Sequence, residues 1–103
     1  MTNELYRYQF NENVPFVDVI ESLVLSVLAV EFLYGDAAIR LDAAYDIDKE
    51  SRMCEIDNGT DVGRSIALIF TGYLSRQFGD KMFTLERRQG VVKGTAPMEK
   101  DGK

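Results

Sequence analysis

The chain has 103 residues, which fits one domain, and its 17 acidic and 12 basic side chains give a formal net charge of −5. This negative balance argues against nonspecific binding to nucleic acid or to an anionic membrane surface. With no histidine and a single cysteine, Cys54, the chain has no internal disulfide and lacks both the commonest general base and the commonest transition-metal ligand.

The first residues predict a strand. Tyr6, Tyr8 and Phe10 alternate with Leu5, Arg7 and Gln9, so that one face of the strand is aromatic. The N-terminus has neither the basic start nor the apolar stretch of a signal peptide. We therefore expect a cytoplasmic protein, because a lone cysteine is typical of a reducing compartment.

The longest apolar run extends from Phe16 to Tyr34 and is too long for a strand, so it predicts a buried helix. Asn13 is the expected N-cap, and Gly35 is the expected stop. Three acidic residues are spread through the run: Asp18, Glu21 and Glu31. Charges at such depth make a membrane span unfavourable, by about 2.5–3.5 kcal/mol each.

This helix is apolar on nearly every side. At about 100° per residue, one broad face contains Ile20, Leu23, Val24, Val27, Val30 and Tyr34, and a thin polar or small stripe opposite contains Asp18, Ser22, Ser26 and Ala29. Beside that stripe, Leu25, Leu28 and Phe32 form a ridge. A small domain has few elements to cover such a helix, so we expect the ridge to contact another chain.

Glu31 is the unusual residue of the helix, because it falls on the apolar side. One interpretation is structural: the side chain reaches solvent near the helix end, or pairs with Arg40 or Arg64. The other interpretation is functional: Glu31 is a buried carboxylate of raised pKa in a ligand site with these arginines.

After Gly35 the apolar period changes from 3.6 to 2. The alternation from Ile39 to Ile47 predicts a half-buried strand, and Arg52–Asp57 predicts a second strand with Cys54 and Ile56 facing inward. The polar residues between them predict a hairpin.

Thr60 is the expected cap of a second helix, which ends at Gly79. Its predicted buried stripe is Val62, Ile66, Ile69, Phe70, Tyr73 and Leu74. Leu68 falls on the outer side of this helix and could join a contact surface. A last strand is predicted over Met82–Arg87, with Phe83 and Leu85 facing inward. Residues 89–103 have no apolar period, and we expect a disordered tail.

The predicted order, β-α-β-β-α-β, resembles the ferredoxin-like, split β-α-β superfold. The resemblance implies a single α+β domain over residues 1–88, in which a four-stranded antiparallel sheet carries two helices on one face. A superfold of this kind implies no particular function.

The sequence shows no catalytic motif and predicts neither a cofactor nor a metal. Carboxylates alternate in residues 46–50, but the loop glycine and the distal glutamate of a calcium loop are missing. We therefore expect a non-enzymatic module that forms a homodimer or binds a protein partner. The candidate interface residues are Leu25, Leu28, Phe32 and Leu68. The alternative is a small-molecule-binding protein or enzyme with a carboxylate-based site formed by Glu31, Arg40 and Arg64.

Overall fold

The computed structural model describes residues 4–92, where the chain forms a four-stranded sheet and three α-helices. In chain order the elements are β1 (Glu4–Phe10), α1 (Phe16–Tyr34), α2 (Asp36–Asp42), β2 (Tyr45–Asp48), β3 (Met53–Asp57), α3 (Asp61–Phe78), a 3-10 turn (Asp80–Met82) and β4 (Phe83–Gln89).

The sheet is antiparallel throughout, with the strand order β2-β3-β1-β4. The first strand, β1, is therefore central: Tyr8 lies opposite Cys54 of β3 on one side and opposite Leu85 of β4 on the other. The shorter β2 and the longer β4 form the two edges. The predicted α+β class and the four-stranded antiparallel sheet are confirmed.

The core contains the aromatic face of β1. Tyr8 and Phe10 are buried, and the rings of Tyr8 and of Phe70 in α3 form a T-shaped pair at a centroid distance of 4.9 Å. Apolar residues of β3 and of the two long helices complete this core: Cys54, Ile56, Val19, Leu23, Val30, Val62, Ile66, Ala67 and Leu74. The interpretation of Tyr6, Tyr8 and Phe10 as one inward face agrees with this packing.

The inner face of α1 differs from the predicted one. Its buried residues are Val19, Ser22, Leu23, Ser26 and Val30. The placement of Ser22 and Ser26 on an outer stripe was therefore wrong, and Val24, expected to face inward, is half-exposed. Both hydroxyls are satisfied, since Ser26 Oγ donates to the Ser22 carbonyl at 2.8 Å and Ser22 Oγ donates to Gln77 Oε1 of α3 at 2.9 Å. Small, hydrogen-bonded side chains are thus compatible with the contact between the two helices.

The long strand predicted over Ile39–Ile47 was also wrong. Residues 36–42 form α2, in which Arg40 Nε lies 3.3 Å from Asp36 Oδ2, and only Tyr45–Asp48 are in a strand. Leu41, expected to face inward, is 83% exposed. The pairing explains the short strand, because β3 has only five residues and matches β2 from Tyr45 to Asp48.

The two predicted helix caps have different outcomes. Thr60 caps α3, since its side-chain oxygen accepts from the Gly63 N–H at 3.0 Å, as predicted. Asn13 is not the cap of α1: Pro15 occupies that position without a side-chain cap, and the Asn13 N–H donates to Asn11 Oδ1 at 2.8 Å. The side chain of Asn11 thus holds the turn of the preceding loop.

The C-terminal strand extends past the predicted one. It ends at Gln89, and Val92 beyond it is buried, with an exposure of 6%. Phe83 packs against the core, whereas Leu85 remains partly exposed because β4 is an edge strand. Residues 93–103, most of the tail expected to be disordered, lie outside the described residues.

Candidate functional site

The first candidate surface is the outer face of α1, which we define as Val17, Val24, Leu25, Leu28 and Phe32. All five residues are exposed, and Phe32 is 87% exposed. They fall within an arc of about 100° on the helix, opposite the buried residues. Exposed apolar patches of this kind mark contact surfaces more often than isolated apolar residues do.

The charge on this face is small and negative. Glu21 lies within the same arc and is exposed, and no basic residue is present in α1. Contact with this face would therefore be driven by apolar burial, with a single carboxylate to accommodate.

Three of the four predicted interface residues share this face: Leu25, Leu28 and Phe32. The sequence interpretation did not include Val17 and Val24, although they repeat at seven-residue spacing and follow from the correct inner face. Leu68 lies elsewhere. It is 75% exposed and belongs to a cleft between α3 and the strands β1 and β4.

This cleft is the second candidate surface and has a volume of about 600 Å³. Its lining residues are Tyr6, Arg64, Ala67, Leu68, Thr71, Leu85 and Arg87. No local pattern in the sequence indicates it, because the chain brings together residues from β1, α3 and β4. We call it the α3–β4 cleft.

The Tyr8 hydroxyl lies next to this cleft. It is 2.8 Å from Thr71 Oγ1 and 3.4 Å from the Ala67 carbonyl oxygen. Burial raises the pKa of Tyr8 well above its ordinary value, so the hydroxyl remains protonated at neutral pH. Tyr8 therefore holds Thr71 in place and is not a candidate base.

The predicted polar residues are not joined to each other by ion pairs. Arg40 pairs with Asp36, while Arg64 pairs with Asp61 and also donates from a terminal nitrogen to the Asn58 carbonyl at 3.1 Å. Within residues 4–92, no arginine or lysine forms an ion pair with Glu31, which is partly buried near the end of α1.

Metal sites and membrane-spanning helices are absent from residues 4–92. No group of three or more cysteine, aspartate or glutamate side chains there could hold a metal ion. None of the helices in this part of the chain is long and apolar enough to cross a membrane.

Sequence comparisons assign no function to these two surfaces. No protein-family model matches the chain, and no curated protein is significantly similar to it in sequence. The α+β class therefore comes from the structure, and function has to be inferred from the exposed chemistry of the two surfaces.

Proposed function

We propose that the protein is a non-enzymatic interaction module that self-associates through the outer face of α1. The observation that carries the proposal is the exposure of five large apolar side chains on one face of a 19-residue helix. Leaving such a face in water is unfavourable, and burying it against a partner removes that apolar area from solvent.

The spacing of the apolar residues along the outer face of α1 is compatible with the same face of a second copy of the chain. In an antiparallel α1 pair centred between Val24 and Leu25, those two residues lie opposite each other across the twofold axis. The same register places Val17 opposite Phe32 of the second copy. Four of the five residues of the outer face then meet another residue of the same face, as a twofold interface requires.

Glu21 weakens this antiparallel pairing of the two α1 helices. The same register places it opposite Leu28 of the second copy, where its carboxylate loses water without gaining a basic partner from α1. Burial of the ten apolar side chains contributes on the order of 10 kcal/mol, and association costs about 4–15 kcal/mol. We therefore expect a weak, reversible dimer with a Kd of roughly micromolar or above.

Sedimentation equilibrium of the full chain tests the interface. We expect wild type to dimerise with increasing concentration, and Leu28→Asp and Phe32→Asp to be monomeric over the same range. Leu68→Asp is the matched control, since it places the same charge on an exposed helical leucine in the α3–β4 cleft, and it should dimerise like wild type. A monomeric wild type at its highest soluble concentration would contradict self-association.

A Glu21→Gln variant separates a second copy from a different partner. Removal of the charge should strengthen the homodimer, because the neutral amide is less costly to bury. Weaker association with a copurifying protein would instead indicate that Glu21 pairs with a basic residue of that protein, and would overturn the homodimer in favour of a heterologous complex.

We also propose that the protein has the ferredoxin-like fold and is cytoplasmic. The ferredoxin-like arrangement, with α1 and α3 on one face and α2 as an addition, is supported by the positions of α1 after β1 and α3 after β3, together with the strand order. An experimental structure tests it. Cytoplasmic localisation is supported by the single, buried cysteine.

A further inference from the structure

We propose that the α3–β4 cleft binds a small organic carboxylate with an apolar body. This site is separate from the outer face of α1 and does not depend on self-association. It is built on one helix and two strands, so its walls are positioned by regular elements and not by loops.

The size and the apolar part of the cleft fit such a ligand. Its volume of about 600 Å³ is within the range of small-molecule sites, about 300–1,000 Å³. Ala67, Leu68 and Leu85 supply apolar wall area, and the two leucines remain substantially exposed to solvent. An apolar ligand body that covers these leucines would remove their surfaces from water.

The charges that line the cleft have a single sign. Among the described residues 4–92, Arg64 and Arg87 are the only charged ones that line it, although acidic residues outnumber basic ones by 17 to 12 in the whole chain. A guanidinium presents parallel N–H donors that match the two oxygens of a carboxylate. The lining thus favours an anionic group over a cation or a neutral molecule.

The two arginines are not equally available. Arg64 already donates to the Asn58 carbonyl and pairs with Asp61. Within residues 4–92, no carboxylate lies within ion-pair distance of Arg87, which is exposed on the edge strand. Arg87 is therefore the principal anion-binding residue of the proposal, and Arg64 supplies a second positive charge.

A polar group of fixed position completes the site. Thr71 lines the cleft, and its hydroxyl is held 2.8 Å from the buried Tyr8 hydroxyl. Tyr8 has a single hydroxyl proton, which it can donate to the Ala67 carbonyl oxygen or to Thr71. When Thr71 receives it, the Thr71 proton is free to be donated to a ligand oxygen. A carboxylate could then be bound by Arg87 and Thr71 while its apolar body lies on Leu68 and Leu85.

Binding of octanoate to the full chain tests the site, with octan-1-ol as the uncharged control. Titration followed by heteronuclear NMR should shift the amide signals of the cleft residues, and octanoate should bind roughly tenfold more tightly than the alcohol at low salt. Arg87→Gln should weaken octanoate binding by roughly tenfold. Arg88→Gln is the matched control, because its side chain alternates to the other face of β4, and it should change the affinity less than twofold.

Other outcomes would overturn the proposal. These are equal affinity for the acid and the alcohol, equal effects of Arg87→Gln and Arg88→Gln, or no shifts in the cleft below the micelle-forming concentration of octanoate. Shifts confined to α1 and removed by Leu28→Asp would assign the binding to the outer face of α1 instead. The octanoate result is independent of the dimer, since it can also be measured in the monomeric Leu28→Asp variant.

Discussion

Two ionisable residues at the centre of the sheet are held neutral by burial. Burial raises the pKa of the Cys54 thiol to about 12, and the nearby negative charge of Asp46 adds to the increase. The pKa of Tyr8 is raised by burial as well. At neutral pH both side chains are protonated and pack as uncharged groups, so Cys54 has the character of a small apolar residue and not of a reactive thiol.

The Cys54 thiol should make the protein sensitive to alkali. The unfolded chain releases this proton at a pH near the ordinary thiol value of 9.0, while the folded chain keeps it up to a pH of about 12. The stabilisation is therefore complete below the unfolded pKa and is lost as the pH rises through the interval between the two. The free energy of unfolding should fall by about 1.4 kcal/mol per pH unit within that interval.

Urea unfolding of wild type and Cys54→Ala at several pH values between 8 and 10 measures this contribution. The variant has a different baseline stability, so only the difference in pH dependence is compared. Wild type should lose about 1.4 kcal/mol more than the variant over this range. Parallel curves would show that the thiol has the same pKa in the folded and unfolded states.

The first turn of α3 approaches the end of β3 very closely. A Cβ atom built on Gly63 would lie 1.9 Å from the Asp57 carbonyl oxygen, and the Gly63 N–H is occupied by the Thr60 cap. Gly72 lies in the same helix, and a Cβ atom there would meet nothing within 4 Å. The two glycines therefore have opposite roles in one element.

Alanine substitutions should have opposite effects at these two glycines. Gly63→Ala should lower the free energy of unfolding by about 2 kcal/mol or more, because the backbone contact with Asp57 must open. Gly72→Ala should raise it by about 0.5–1 kcal/mol, because alanine is the better helix former. Chemical denaturation of both variants measures the difference, and similar values would contradict the close contact at Gly63.

At the scale of elements, periodicity predicted α3 well and α1 less well. The stripe of α3 includes Val62, Ile66 and Phe70, which are buried, because polar residues on the other side mark the outer face. Tyr73, also predicted to be buried, is 37% exposed. In α1 the apolar residues surround the helix, so the period does not identify which side is buried. The hydrogen bonds that allow Ser22 and Ser26 to face inward depend on Gln77 and on the backbone, which no local pattern contains.

The apolar–polar alternation after Gly35 predicted a strand because the pattern describes one segment alone. A strand also needs a partner, and within this segment β3 pairs only with Tyr45–Asp48. The residues before β2 instead form a helical turn, with Ala38 and Ile39 packed against the core. The α3–β4 cleft was not predictable for the same reason, since it exists only after distant segments have paired.

At the scale of the whole molecule, the described chain continues as packed structure beyond the last strand. Leu5 alternates to the face of β1 opposite Tyr8 and is nevertheless buried. A Cβ atom built on Gly90 would lie 4.0 Å from Leu5 Cδ2, and Gly90 has a φ of 143° that permits the chain to turn after β4. Residues after β4 thus pass close to this side of the sheet.

Two adjacent valines test where the folded unit ends. Val92 is buried, whereas Val91 is 70% exposed. The same valine-to-alanine substitution at each position therefore distinguishes the loss of buried contacts from the change of residue type alone. Val92→Ala should lower the free energy of unfolding by about 1–2 kcal/mol, because it removes two buried methyl groups. Val91→Ala should change it by less than about 0.5 kcal/mol. Urea unfolding with equal slopes for both variants would make the comparison valid, and an unchanged midpoint in Val92→Ala would place the end of the folded unit before this residue, near the boundary at 88 that the sequence predicts.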